Sequence, residues 1–195
     1  MSFTHIGLTG GIASGKSCVA ELWHAHGATI IDSDTLAHRA LEPGTATHRD
    51  VVQTFGQNIV NANGTINRRA LGEIVFNDTA RRQALNSIVH PVVRSAWKRE
   101  LAAATGIVAV VIPLLFEVGA ETEFDCVVVV GCRELTQLAR LTAKGLTEAQ
   151  ARARIRAQLP VQEKMDRADF VIWNDGSRAG LDRQAEIVWT KIKER

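Results

Sequence analysis

The sequence predicts an α/β fold in which helices flank a central parallel sheet of five strands. Five strand-length apolar runs, rich in Val and Ile, are THIGLT (4–9), ATIID (28–32), IVAVVIP (107–113), FDCVVVVG (124–131) and DFVIW (169–173). Several of them are continuous rather than alternating, which is typical of strands covered on both faces. Longer segments with helical periodicity separate the runs, and strands that alternate with helices indicate a parallel sheet.

Length and composition set the class of protein. The chain has 195 residues, of which 46% are hydrophobic and 23% charged, as expected for one globular domain. A net charge of +2 favours neither a nucleic-acid partner nor a membrane surface. No apolar run reaches the length of a membrane helix, and the N-terminus resembles no secretory signal. Cys18, Cys126 and Cys132 lack CxxC spacing, so we expect reduced thiols in the cytoplasm and no zinc site.

Two segments are too long to be simple connections, and we expect the single domain 1–195 to carry both as helical inserts. The first spans about residues 34–105 and is a usual place for substrate binding. Its last helical pattern contains Pro91, which is expected to break or restart the helix. The predicted apolar stripe of that helix is Leu85, Ile88, Val89, Val92, Trp97 and Leu101. The second insert spans about residues 133–160 and is charged and Ala-rich.

A phosphate-binding loop is predicted between the first strand and the first helix. The residues Gly10-x-x-x-x-Gly15-Lys16-Ser17 match the P-loop pattern at every fixed position. Glycines let backbone N–H groups turn inward toward phosphate oxygens, and the helix N-terminus adds a partial positive charge. We expect Lys16 to reach the β- and γ-phosphates and Ser17 to supply a hydroxyl to Mg²⁺, although this loop alone does not separate a kinase from a GTPase, motor or sensor.

Paired carboxylates follow the second strand. Asp32 and Asp34 would lie at the carboxyl edge of a parallel sheet, where open α/β sheets bind ligands. We expect Asp32 to serve Mg²⁺ and its waters and Asp34 to face the hydroxyl of an acceptor. The alternative is that one of the pair caps the helix that follows. No guanine-type N/T-K-x-D element follows a strand, which disfavours a GTPase.

The second insert reads as a basic helical hairpin. Gly145 marks the corner between its helices, and Thr147-x-x-Gln150 resembles a capping box. The hairpin is either a solvated charged surface or a lid that supplies cations to a transferring phosphoryl group. Beside a P-loop we favour the lid. Positive charge repeats on its helix faces in two i, i+4 pairs, Arg140 with Lys144 and Arg152 with Arg156.

Taken together in order, several segments resemble the dephospho-CoA kinase family over nearly the full length. They are IGLTGGIASGKS (6–17), IDSDTLAHRAL (31–41), INRRALGEIVF (66–76), HPVV (90–93), VIPLLFE (111–117), LARLTAKGLTEAQARARIRAQLP (138–160) and EKMDRADFVIWNDGS (163–177). The resemblance implies a P-loop NTPase fold that phosphorylates the ribose 3′-hydroxyl of dephospho-CoA, giving CoA and ADP. ATP and Mg²⁺ would be the cofactors, the small molecules ATP and dephospho-CoA the partners, and the protein a cytoplasmic monomer or weak homo-oligomer.

The resemblance also implies roles for individual residues. The catalytic residues would be Lys16, Asp34 as the base and Arg140 as a lid cation. The nucleotide would contact Gly11, Ala13, Ser14, Gly15, Lys16, Ser17 and Cys18, with Asn174 near the adenine. The acceptor would contact Thr9, Asp34, His90, Pro113, Leu114 and Glu117, and the metal Ser17 and Asp32.

Three positions depart from the family pattern, and some alternatives stay open. Cys18 stands where Thr is common, Ser33 where Ala is usual, and Lys144 where Arg is frequent. A lysine at position 144 keeps the positive charge but lacks the guanidinium group that can bind a phosphate through two hydrogen bonds. His90 could instead fill a helix junction, and Glu117 could be an acid in the first turn of a helix. The alternative functions are a kinase for another small hydroxylated or nucleotide acceptor, or an ATP-binding regulatory module.

Overall fold

The computed structural model describes residues 4–194, which form two compact units. The sheet unit runs up to Ile31 and resumes at Ala104, and the helical unit spans residues 32–103. The strands are β1 (His5–Gly10), β2 (Thr29–Asp32), β3 (Val108–Val111), β4 (Cys126–Gly131) and β5 (Phe170–Trp173). The helices of the sheet unit are α1 (Lys16–Ala25), α6 (Glu134–Ala143), α7 (Glu148–Arg156), α8 (Val161–Asp166) and α9 (Arg178–Lys193). The helices of the helical unit are α2 (Ser33–Ala40), α3 (Ala46–Phe55), α4 (Arg68–Asn77) and α5 (Thr79–Ala103).

The predicted five-stranded parallel sheet is confirmed. Its strands lie in the order β2-β3-β1-β4-β5 and all run in the same direction. The central strand β1 pairs with β3, where Leu8 lies opposite Val111, and with β4, where Gly10 lies opposite Val130. Every residue of β3 and β4 is buried, as expected for strands covered on both faces.

The core of the sheet unit joins the central strands to α1 and α9. Trp23 of α1 is fully buried, its ring centroid lies 6.0 Å from that of Trp189, and its indole N–H donates to the Ala185 carbonyl at 3.0 Å. The indole therefore buries a large apolar surface without leaving its N–H unpaired. This packing supports α1, the helix that follows the phosphate loop.

One helical prediction was wrong. The helix α5 continues through Pro91 instead of ending there, and Val92 is 42% exposed instead of belonging to the apolar stripe. The buried residues of α5 are Val89, Val93, Trp97 and Leu101, spaced four residues apart. Proline inside a helix costs ~3 kcal/mol, whereas burial of each large apolar side chain contributes ~1.5–3 kcal/mol, so burial along this stripe outweighs the proline.

The carboxylate of Asp125 anchors the start of the central strand. One of its oxygens, Oδ2, accepts the backbone N–H groups of Thr4 at 3.0 Å and His5 at 2.9 Å, together with the Thr4 hydroxyl at 3.1 Å. Partial burial works to raise the pKa of Asp125, but these hydrogen bonds outweigh it and the pKa lies below its usual value. Folding therefore stabilises the ionised carboxylate of Asp125 relative to its protonated form.

We expect Asp125→Asn to lower the midpoint of thermal unfolding at pH 7, because an amide oxygen accepts these bonds less strongly than a carboxylate. Because the pKa of Asp125 is lower in the folded state, its carboxylate stabilises the fold at pH values above the unfolded-state pKa of 3.8. That stabilisation is lost as the pH falls through the folded-state pKa. The difference between wild type and variant should shrink below about pH 4 in unfolding measured by circular dichroism. A difference that stays constant down to pH 2.5 would contradict this account.

Candidate functional site

The phosphate loop, residues 10–17, connects the central strand β1 to α1 at the carboxyl edge of the sheet. Its backbone has positive φ angles at Gly10 (145°), Ala13 (57°) and Gly15 (103°). Within residues 4–194, Ala13 is the only residue other than glycine with a positive φ. The Ser14 N–H donates to the Gly11 carbonyl at 3.2 Å and closes a tight turn. Such strained backbone is typical of functional loops.

Side chains would not fit at three glycines of this loop. A Cβ on Gly10 would lie 2.0 Å from the Val130 carbonyl oxygen of β4. A Cβ on Gly11 would lie 2.4 Å from the Gln137 amide nitrogen, and one on Gly15 would lie 2.3 Å from the Asn174 amide nitrogen. Gly10 and Gly15 are therefore favoured by their positive φ, and at all three positions glycine permits the close approach of a neighbouring element.

These contacts rank three alanine substitutions by their effect on stability. Gly10→Ala should lower the free energy of unfolding most, by more than about 2 kcal/mol, because the clash is with the backbone of a neighbouring strand. Gly15→Ala should cost less, since the Asn174 side chain can move. Gly27 has a positive φ of 97°, close to the 103° of Gly15, but a Cβ there would meet no atom within 4 Å, so Gly27→Ala should cost only ~1 kcal/mol. Urea denaturation measures all three, and equal losses would contradict the role of close packing.

The predicted nucleotide ligands Lys16 and Ser17 begin α1. The Lys16 ammonium group donates to the carbonyls of Gly10 at 3.0 Å and Gly11 at 2.9 Å, so it lies against the loop itself. Ser17 is exposed in the first turn of the helix. The hydroxyl oxygen of Ser14 is buried and has no hydrogen-bond partner, as expected for a group that a phosphate would engage. The residues of the loop therefore fit an anionic phosphate ligand.

Arg140 and Asn174 hold the outer side of the same loop. The guanidinium of Arg140 donates to the carbonyls of Ala13 at 3.1 Å, Ser14 at 3.3 Å and Asn174 at 3.0 Å. The buried Asn174 amide donates to the Ser14 carbonyl at 2.7 Å. Thus Arg140 lies at the loop, and its role as a phosphate clamp stays a prediction, as does the adenine contact of Asn174.

The helix that carries Arg140 is tied to the end of β5 by Asp175. The carboxylate accepts the backbone N–H of Arg133 at 3.0 Å, its guanidinium at 2.6 Å, and the Thr136 hydroxyl at 2.7 Å. Burial works to raise the pKa of Asp175, but the bonds from Thr136 and Arg133 outweigh it and lower the pKa. An ionised Asp175 therefore anchors the first turn of α6.

The predicted basic hairpin is present, with different roles for its cations. Thr147 and Gln150 form the predicted capping box at the start of α7. Arg152 pairs with Glu148 at 2.8 Å and with Glu134 at 3.4 Å, as in a solvated surface network. The side chain of Lys144 is exposed. Charge periodicity alone did not separate Arg140 from these surface cations.

The predicted acceptor-binding residues after β3 surround a buried lysine. The Pro113 carbonyl accepts the Thr9 hydroxyl at 3.4 Å and the Lys164 ammonium at 3.0 Å. Oε1 of Glu117 pairs with Lys164 at 2.8 Å and accepts the Leu159 N–H at 2.9 Å. Since Lys164 is fully buried, removing either partner would leave an uncompensated charge.

Two features of this segment differ from expectation. Glu117 lies in a turn rather than in the first turn of a helix, so that alternative for Glu117 was wrong. Lys164 was assigned no role by sequence reasoning, because a lysine in an amphipathic helix usually reaches solvent. Leu114 lies half-buried beside Pro113 in the same turn. Contact of Thr9, Leu114 or Glu117 with an acceptor stays a prediction.

In the helical unit, Asp32 and Asp34 lie at the start of α2. Asp32 is the N-cap, and its Oδ1 accepts the Asp34 backbone N–H at 2.8 Å. The capping alternative is therefore confirmed for Asp32, and both side chains are exposed. His90 is half-buried in α5, and burial lowers its pKa, which favours the neutral imidazole at pH 7.

The three cysteines form no disulfide with one another. Cys126 and Cys132 are buried, and Cys18 is half-buried. Burial raises the pKa of the Cys132 thiol, which keeps it protonated and unreactive. In the described part of the chain, no cluster of three or more His, Cys, Asp or Glu side chains could hold a metal ion. Nor does any helix within residues 4–194 have the length and apolar character needed to cross a membrane.

A phosphate loop between the central strand and first helix of a five-stranded parallel sheet defines a P-loop protein. The family model for dephospho-CoA kinase matches residues 4–180. The chain therefore belongs to the dephospho-CoA kinase family, as the sequence resemblance predicted.

Individual relatives support the same family. The dephospho-CoA kinase of Geobacillus kaustophilus is 47% identical over 184 residues, which cover 92% of each chain. A solved structure of the dephospho-CoA kinase from Campylobacter jejuni has 26% identity and a TM-score of 0.66, with 98% of both chains covered. The crystal structure of TT1252 from Thermus thermophilus has 36% identity and a TM-score of 0.81, again over 98% of both chains.

Proposed function

We propose that this chain transfers the γ-phosphoryl group of Mg-ATP to the ribose 3′-hydroxyl of dephospho-CoA, giving CoA and ADP. One observation carries the proposal: the dephospho-CoA kinase family model spans residues 4–180 and includes a P-loop whose backbone is held as a phosphate cradle. Phosphoryl transfer requires such positioning and charge neutralisation more than covalent chemistry.

The donor half of the site is the phosphate loop with Lys16 and Arg140. We propose that Lys16 exchanges the carbonyls of Gly10 and Gly11 for the β- and γ-phosphate oxygens when ATP binds, because a phosphate is a stronger acceptor than a carbonyl. Arg140 already lies at Ala13 and Ser14, so its guanidinium can add positive charge to the same loop. Both cations would stabilise the charge on the transferring group.

The acceptor half rests on Asp34. In the proposed reaction the 3′-oxygen of the acceptor forms a bond to the γ-phosphorus while the bond from that phosphorus to the bridging oxygen of ADP breaks. The proton of the hydroxyl passes to the Asp34 carboxylate late in the reaction. Because the Asp34 side chain is exposed at the start of α2, an acceptor hydroxyl that arrives from solvent can reach its carboxylate.

Mg²⁺ is proposed as the metal because Ser17 and Asp32 supply hard oxygen ligands, which this ion prefers. When bound, it would neutralise phosphate charge. Asp32 could take part through Oδ2 while Oδ1 keeps its cap hydrogen bond from the Asp34 N–H. The cytoplasmic location and the monomeric or weakly oligomeric state also stay predictions.

The proposal is tested by incubating purified protein with Mg-ATP and dephospho-CoA. Mass spectrometry should detect CoA, and a coupled assay should detect ADP in equal amount. The variant Lys16→Met serves as the matched control, since it keeps the length of the side chain but removes the charge. If the folded protein binds ATP but phosphorylates only another hydroxylated acceptor from a panel, that acceptor would replace dephospho-CoA as the proposed substrate. Absence of transfer to every acceptor would overturn the kinase assignment.

A further inference from the structure

Helix α6 presents two side chains to the outer surface of the phosphate loop, three residues apart and therefore on one face. Gln137, which is only 4% exposed, donates from Nε2 to the Ile12 carbonyl at 2.7 Å. Arg140 donates to the carbonyls of Ala13 and Ser14 at 3.1 and 3.3 Å. Three consecutive carbonyls of the loop are thus bound by one helix.

This pattern determines where the backbone N–H groups point. In a trans peptide unit the carbonyl and the following N–H point in opposite directions, and residues 4–194 contain no cis peptide bond. With the Ile12 and Ser14 carbonyls turned toward α6 and its neighbours, the N–H groups of Ala13 and Gly15 are turned away from them. These are the groups that a P-loop offers to phosphate.

Ile12 is held through both of its backbone polar groups. Its N–H donates to Oε1 of Gln158 at 2.8 Å, while its carbonyl accepts Gln137. Gln137 belongs to α6 and Gln158 follows α7, so both helical segments of the hairpin contribute a hydrogen bond to the same loop residue. An uncharged amide donor suits the Ile12 carbonyl, since a carboxylate would repel it and an apolar group would leave it unpaired.

We propose that Gln137 is a positioning residue for the nucleotide phosphates: it holds the Ile12 carbonyl outward and thereby aims the following N–H at ATP. The inference rests on the proposed function in that ATP is the ligand of the loop. It assigns Gln137 a role that is separate from the charge stabilisation proposed for Arg140. The residue acts through the backbone of the loop and does not touch the substrate.

Two variants of the full-length protein test the role. Gln137→Met keeps the shape but removes the donor, and should raise the dissociation constant for ATP about threefold to tenfold, measured by calorimetry. The KM for dephospho-CoA should change less than about twofold, because the loop positions only the nucleotide. Gln162→Met, which removes an exposed glutamine that bonds Asp166 of its own helix, is the control and should leave ATP affinity unchanged.

Gln137→Glu adds a pH signature that a merely structural role would not produce. Burial should raise the pKa of the introduced carboxyl group, and its protonated form can donate to the Ile12 carbonyl again. The loss of ATP affinity relative to wild type should therefore be smaller at pH 6 than at pH 8.5, whereas the loss in Gln137→Met should be the same at both values.

The possible outcomes are distinct. Wild-type ATP affinity in folded Gln137→Met, or a Gln137→Glu deficit that does not change with pH, would overturn the positioning role. If wild-type protein binds ATP but does not phosphorylate dephospho-CoA, the proposed reaction fails while the measured ATP affinities still decide the role of Gln137. If wild-type protein does not bind ATP at all, the proposed function and this inference both fail.

Discussion

Asp34→Asn is expected to reduce the turnover number by about 10²–10⁴ while leaving the affinity for ATP within about twofold. The substitution keeps the size of the side chain and removes the group that accepts the proton of the attacking hydroxyl. The backbone N–H of Asp34 that bonds Asp32 remains, so the cap of α2 is preserved. Steady-state kinetics with dephospho-CoA and calorimetry with ATP measure the two effects separately.

Asp50→Asn is the matched control, since Asp50 is an exposed aspartate of α3 in the same unit. Its turnover should equal that of wild type. If Asp34→Asn retained near-normal turnover, Asp34 would be removed as the base. If it lost ATP affinity by a similar factor as turnover, the residue would serve nucleotide binding instead.

Arg140→Ala is the second substitution with a large expected effect. We expect kcat to fall by about 10²–10³, with ATP affinity reduced by less than about tenfold. The larger effect on kcat reflects charge that develops in the transition state, and the smaller one reflects lost hydrogen bonds to Ala13, Ser14 and Asn174. Rapid-quench measurement of the chemical step together with ATP binding separates these contributions.

Two further substitutions sharpen this test. Arg140→Lys should recover little activity, because a lysine cannot bond three carbonyls with one planar fork. Arg152→Ala should have almost no effect, since the exposed pairs of Arg152 with Glu148 and Glu134 contribute little. An effect of Arg140→Ala confined to ATP affinity would show that Arg140 contributes only ground-state binding.

Local sequence patterns predicted the parts of the fold that depend on neighbouring residues. The continuous Val and Ile runs predicted β3 and β4, because strands covered on both faces need no polar alternation. The glycine pattern predicted the phosphate loop, because only glycine fits next to Val130 at position 10. The capping box at Thr147 could be predicted because its partner Gln150 lies within the same helical turn.

Long-range packing decided features that no local pattern carries. Pro91 predicted a helix break, but burial of the stripe that includes Trp97 keeps α5 continuous. Lys164 reads as a solvent-exposed lysine, and only the turn that brings Glu117 beside it explains its complete burial. Gln137 had one local signal, its position three residues before Arg140, but its partner Ile12 lies 125 residues away in sequence.

By itself, the sequence determined the five-stranded parallel sheet, the phosphate loop and, through its ordered motifs, the family. These follow from residue types at short spacing, which dictate backbone conformation and burial directly. The tertiary structure decided which of the basic residues reaches the loop, which carboxylate caps a helix, and which side chains hold the loop from behind. Those outcomes depend on contacts between segments far apart in the chain, where hydrogen-bond geometry and burial select one partner among many chemically similar residues.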